Sequence, residues 1–213
     1  MTRKPGDRNF LEAALQNVEA FIDTATENET VRAVPILGTA LKICKGVDDL
    51  RNRAIAAKIY KFLLEPSLQA PRTKARLQIS VSRSKEEAEM LGETLFLTLE
   101  KLSDMRKPVL LAQVFVAYLD EVIDLPMFRR IAAAIDQALV DDIASLLESP
   151  DNFPDKLGSE WKTGLLGSGL VSPFGGETFD DDGEVYFRLT PVARSLRQSV
   201  EHARSVAAQA HAA

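Results

Sequence analysis

Between Ser84 and Pro150 the chain is punctuated by its own helix signals, and no other stretch limits the fold as strongly. Ser84 is followed by Lys-Glu-Glu, which sets Glu87 three residues after the serine, the spacing of a capping box. The helix opened there is expected to reach about Leu102, with Ala88, Leu91, Leu95, Leu97 and Leu99 in overlapping apolar rows. Lys107-Pro108 opens a second helix, with Leu111, Val114, Phe115, Tyr118 and Leu119 inward. Asp124-Leu-Pro126 opens a third, running through "MFRRIAAAIDQALVDDIASLLES" and stopping at Ser149-Pro150. Three helices in succession with short connections cover one another's apolar faces by packing antiparallel, as in a bundle.

Upstream, Asn9 to Thr26 reads as an amphipathic helix, because Phe10, Leu11, Ala14, Leu15, Val18, Phe21 and Ile22 recur at three- and four-residue spacings. From Ala33 to Cys44 the chain is almost wholly apolar. As a helix that run would extend about 18 Å, against a hydrocarbon core of about 30 Å. A buried helix is the expectation, with an interfacial membrane segment as the sharper alternative. The next helix, about Leu50 to Glu65, stops at Pro66 and puts Ile55, Ile59, Phe62 and Leu63 on one face, flanked by Arg51, Lys58 and Lys61. "PSLQAPRTKARLQISVSRSK" holds two prolines and little periodicity, so a loop with one short helix near Thr73 to Ser80 is expected.

After Ser149 the character changes. A short helix, roughly Lys156 to Leu166, precedes two strand-like runs, "LVSPF" and "EVYFRLT", separated by "GGETFDDDG". Pro191 then opens a last helix, capped by Thr190 and carrying Val192, Leu196 and Val200. The closing "SVAAQAHAA" lacks anything large enough to anchor it. Leu165, Gly169, Leu170 and Val171, with Tyr186, Leu189 and Thr190 after the hairpin, resemble the end of winged-helix proteins. Ala193 or Arg194 stands near that family's usual glycine, a departure of little weight inside a helix. The fold class expected is therefore mainly α: a helical body over residues 1–149, then a winged-helix-like module with one β-hairpin and a last helix over 150–213.

A longer resemblance covers most of residues 33–200. The apolar-then-basic helix around "ILGTALKICKGVDDLRNRAIAAKIYKFL", with "LGETLFLTLEKLSDMRKPVLLAQVFVAYL", "MFRRIAAAID" and the Leu189-Thr190 pair, is similar to a group of bacterial and phage helical proteins related to the abortive-infection alpha group. Val34 stands where that group has isoleucine. The resemblance implies a phage-defence or phage-derived setting and no reaction.

Chemistry-bearing residues are scarce. One cysteine, Cys44, excludes an internal disulfide framework and suits a reducing cytoplasm. The amino-terminal residues are polar where a signal peptide would be apolar. Only His202 and His211 supply imidazoles, too few for a His/Cys metal cluster or a Ser/His nucleophile pair. "GLLGSG" lacks the lysine of a phosphate-binding loop. A calcium loop placing Gly183 sixth would put Leu189 where a bidentate carboxylate is needed. The adjacent acids Asp141-Asp142, Asp120-Glu121 and Glu86-Glu87 point apart on their helices, so spacing makes none of them a catalytic pair. No enzyme, metal or cofactor is expected.

Charge is the remaining signal. Residues 42–85 hold eleven Lys or Arg against three acids, a net +8, which leaves −13 for the rest of a chain whose total is −5. Lys42, Lys45, Arg51, Lys58, Lys61, Arg72, Lys74 and Arg76 are the candidate contacts for a protein partner or an anionic surface. The hairpin tip carries Glu177, Asp180, Asp181, Asp182 and Glu184, which would repel DNA phosphates, so duplex binding through this wing is not expected. The function expected is that of a non-enzymatic interaction protein, working by protein contact or self-association. Two alternatives stand beside it: a membrane-associating effector using residues 33–63, and a nucleic-acid regulator using Arg72, Lys74, Arg76, Arg83 and Lys85. The location expected is cytoplasmic, or peripheral to the inner membrane under the first alternative.

Overall fold

The computed structural model describes residues 50–149, 155–156, 160–175 and 185–212. They gather into two compact units, one ending at Ala112 and the other starting at Gln113. The change of composition at 149/150 falls inside the second unit. The expected segments 9–26 and 33–44 lie outside the described residues.

In the first unit α1 spans Leu50–Leu63, α2 Pro66–Gln69, α3 Pro71–Arg83 and α4 Lys85–Lys101. The expected helix near Thr73 to Ser80 is present but longer, as α3, and the loop expected before it holds a further helix, α2; each is entered at a proline. Pro66 and Pro71 both occupy a first helical position, where the missing N–H has no partner in any case and the fixed φ suits the helix. Polar links hold the short helix against its successor. Thr73 donates to the Ser67 carbonyl at 2.8 Å, and the Ser67 hydroxyl donates to Glu65 Oε1 at 3.0 Å, all three residues being buried.

Ser84 starts α4 as its sequence requires, its hydroxyl accepting the Glu87 N–H at 3.1 Å. Leu91, Leu95 and Leu99 are buried on α4, which packs against α1 and α3, while Ile55, Ile59, Phe62 and Leu63 form the buried face of α1. Leu97 departs from the expectation: it is 43% exposed, because a residue midway between Leu95 and Leu99 falls on the far side of the helix. Past α4, Asp104 Oδ1 accepts the Arg106 N–H at 2.7 Å and turns the chain into α5, Lys107–Leu119. The Arg106 guanidinium hydrogen-bonded to Asp104 holds that carboxyl below the ordinary aspartate value.

The boundary between the units falls within α5. The second unit continues with α6, Leu125–Gln137, and α7, Val140–Glu148. After α5, Glu121 adopts the left-handed conformation (φ 60°) and the Val122 N–H reaches the Ala117 carbonyl at 2.9 Å, a Schellman closure at a position that favours glycine. Asp124 caps α6, accepting the Met127 N–H at 2.8 Å. The rings of Phe115, Tyr118 and Phe128 then meet at centroid distances of 5.6 to 6.2 Å.

One long helix from Asp124 to Ser149 is corrected to two, broken where Ala138 and Leu139 turn extended (ψ 151° and 136°). Continuing the row of Phe128, Ile131 and Ile135 would carry Leu139 and Asp142 inward. The break rotates the chain so that Val140, Ile143 and Leu146 are buried instead, with Leu139 left 68% exposed.

The sheet follows: β1 is Asp155–Lys156, β2 Val171–Gly175 and β3 Val185–Leu189, all antiparallel in the order β1-β3-β2. β1 lies where the start of a helix was expected, and α8 is the shorter Glu160–Leu166. The last helix, α9, spans Pro191–Ala212 and so takes up most of the tail expected to be loose. It buries Ala193, Leu196, Val200, Ala203 and Val206 and packs against α6 and β3.

The winged-helix-like residues now have physical jobs. Leu165, Leu170, Val171 and Leu189 are in the core, and Gly169 turns the chain at φ 74°. Thr190 donates to the Gly169 carbonyl at 2.8 Å while its oxygen accepts the Ala193 N–H at 3.3 Å, so one hydroxyl ties the start of β2 to the cap of α9. The architecture is a mainly helical body with a small hairpin sheet near its carboxyl end.

Arg197 closes this unit. Its guanidinium, buried, donates to the Leu146 carbonyl at 2.6 and 3.0 Å and to the Ser149 carbonyl at 2.7 Å, and also bonds the Ser149 hydroxyl. These are the acceptors that the end of α7 leaves without helical donors, and a cation there also suits the helix dipole. Arg197→Met keeps the aliphatic volume but removes the guanidinium donors from both carbonyls, leaving that of Leu146 to the Ser149 hydroxyl at 2.9 Å. It is expected to cost about 3 kcal/mol, read as a lower midpoint in urea unfolding followed by circular dichroism.

Candidate functional site

Of the eight basic candidates, six have described side chains, all in the first unit; Lys42 and Lys45 lie outside the described residues. Those on α1 are partly turned to its neighbour. Arg51 forms an ion pair with Glu100, and Lys58 Nζ donates to the Glu100 carbonyl at 2.8 Å, so both tie α1 to the end of α4. The apolar residues they flank are already in the core: Ile59 and Phe62 are fully buried, which leaves that face covered by protein. Among the described residues no helix is long and apolar enough to cross a membrane.

On α3 the grouping is tighter. Arg72 and Arg76 stand one turn apart on the exposed side, and Ile79, 50% exposed, follows on the same face. Lys74 is half-buried on the opposite flank. The side chains of Arg83 and Lys85, needed for the nucleic-acid alternative, are outside the described set, as are all five hairpin acids, Glu177, Asp180, Asp181, Asp182 and Glu184.

A second surface belongs to the other unit and was not singled out from sequence. α8 holds the place in chain order, just before the hairpin, where winged-helix modules present their reading helix. Its exposed residues are Glu160, Thr163 and Gly164. Its lysine, Lys162, is 2% exposed, with the ammonium 5.3 Å from the Trp161 ring centroid. α8 lies close against α7 at Gly164, where a Cβ would come within 2.2 Å of Asp142 Oδ2. The contact is with the end of a half-buried carboxylate that can swing aside, and it sets Asp142 near Glu160.

Burial raises the Asp142 carboxyl above the ordinary aspartate value, and the negative charges of Asp141 and Glu160 raise it further. A carboxyl whose folded value is raised works against folding when ionised, and that penalty fades as pH falls through the raised value. No signal for this surface was available in the sequence, since "DD" and "SEWKTG" are brought together only by the fold.

α4 carries an outer row that the sequence reading also missed. Glu86, Met90, Glu93 and Leu97 are all exposed on the side away from its buried leucines. The signal is a four-three-four spacing, obscured because Leu97 stands among the leucines of the buried face.

Chemically, these surfaces offer charge and apolar contact. No group of three or more His, Cys, Asp or Glu among the described residues could hold a metal ion. His202 Nε2 lies 2.8 Å from Asp120 Oδ2, the carboxylate being 1% exposed, a pair that joins α9 to the turn after α5. A carboxyl-carbon NMR titration is expected to place the Asp142 midpoint above the ordinary aspartate value, and Asp141→Asn is expected to lower it. Compared with protein-family models, curated proteins and solved structures, the chain finds no match.

Proposed function

We propose that this chain is a non-enzymatic interaction protein, located in the cytoplasm, that acts by protein contact with self-association as its principal form. The observation that carries the reading is the sorting of charge between its units. Residues 1–112 hold eighteen Lys or Arg against fifteen acids, whereas residues 113–213 hold eight against sixteen. Two copies can therefore bring surfaces of opposite sign together, which steers encounter and fixes register.

The second unit supports protein over nucleic acid as partner. A duplex-reading helix needs exposed cations near phosphates, and α8 exposes Glu160 while burying Lys162. The covered apolar face of α1 likewise gives no support to a lipid-inserting role for residues 50–63. The resemblance to the abortive-infection alpha group supplies a phage-defence setting for this contact.

The test is sedimentation equilibrium at high protein concentration. Oligomers are expected at low ionic strength and a shift toward monomer in 1 M salt, where the Debye length is about 3 Å. A monomer at low salt would refute self-association.

A further inference from the structure

Two consecutive helices of the first unit present outer rows of opposite character. On α3 the row is Arg72, Arg76 and Ile79; on α4, reached through the single residue Ser84, it is Glu86, Met90, Glu93 and Leu97. All seven are exposed, and Ile79, Met90 and Leu97 are 50%, 42% and 43% exposed. Steps of four and three residues make a row that runs nearly straight along a helix and can pack against a second helix of the same period. The two rows share that period. Exposed large apolar side chains also gather here: of Leu64, Ile79, Met90, Leu97 and Leu139, only Leu139 belongs to the second unit.

We propose that these rows are a docking surface for a second copy of this chain, with α3 of one copy lying antiparallel along α4 of the other. In that register Ile79 meets Met90, Arg76 meets Glu93, and the stem of Arg72 covers Leu97. Apolar contacts fill the middle, and charged heads close the edges, the usual division between an interface core and its rim. A two-fold arrangement makes the contact twice, each helix row serving once in each direction.

The occupant follows from charge. A phosphate backbone would be drawn to Arg72 and Arg76 but opposed by Glu86 and Glu93 on the adjoining helix. An anionic lipid surface meets the same objection. A surface that carries both signs at matched spacing is complementary to itself.

The inference rests on the proposed self-association but makes the two opposite-signed rows within the first unit, rather than the charge difference between the units, its contact surface. Three samples test it by sedimentation velocity: wild type, Arg72→Glu with Arg76→Glu, and Glu86→Lys with Glu93→Lys. All four positions are exposed, and circular dichroism checks that helix content is kept. Each variant alone carries like charge on both rows and is expected to dissociate at least tenfold more readily than wild type. An equimolar mixture of the two variants restores opposite charges at both contacts and is expected to recover association.

Wild-type oligomers whose stability neither variant alters would overturn this surface while leaving self-association standing. A monomeric wild type would overturn both. A low-salt shift of labelled duplex DNA that is lost in Arg72→Glu with Arg76→Glu, in a monomeric protein, would assign the arginines to nucleic acid instead.

Discussion

The second unit depends on one guanidinium. α7 ends at a half-buried serine, and its terminal carbonyls lack helical donors. Arg197 supplies the donors from another helix, reaching the carbonyls of both Leu146 and Ser149. The same helix begins at Thr190, whose hydroxyl bonds the Gly169 carbonyl next to β2, and carries His202, which bonds Asp120 after α5. Three polar contacts along α9 thus fix it to the sheet, to α7 and to the α5 turn. Apolar burial alone would let so regular a helix slide by a turn. The directional bonds select one register.

Much of this architecture could be read from local chemistry. Ser84, Asp124 and Thr190 declare helix starts because a short polar side chain satisfies N–H groups that the helix leaves open, and each does so in the structure. What escaped was decided by competition between distant parts. Nothing at Ala138-Leu139 breaks a helix locally. The break comes from which of Leu139 and Val140 the core receives. Pro66 and Pro71 read in sequence as loop signals although proline is equally at home in a first turn, and only burial of Ser67, Leu68 and Thr73 distinguishes the two uses. Arg197 was invisible for a related reason: a cation at a helical position is ordinarily solvated, and its burial requires acceptors more than forty residues away.

The candidate surfaces were legible to different degrees. The basic character of residues 42–85 could be counted, but not that Arg51 and Lys58 would be engaged with Glu100. The acidic face at α7 and α8 depends on Asp142 lying close against Gly164, a relation of packing that no spacing rule predicts. Leu97 is the instructive error. Leucines at four-residue steps were grouped together, and the odd member, two residues out of step, was carried with them although helical geometry places it on the opposite side.

That misplacement bears on what the first unit is built to do. The buried rows of α3 and α4 would be equally well packed if the outward positions were all lysine and glutamate, the usual solvated choice. Exposed ion pairs add at most about 1 kcal/mol each, so the outer charges have little to do with holding the unit together. Ile79, Met90 and Leu97 contribute still less there, since half of each side chain remains in water. Isolated exposed apolar residues need no explanation. Here one follows two arginines on α3 and two alternate with glutamates on α4, at a common period. Under the proposed docking, the alternation on α4 and the division of sign between the helices each have a purpose. Both are what a contact between copies requires, because apolar positions supply the area removed from water while opposite charges reject a register displaced by one turn.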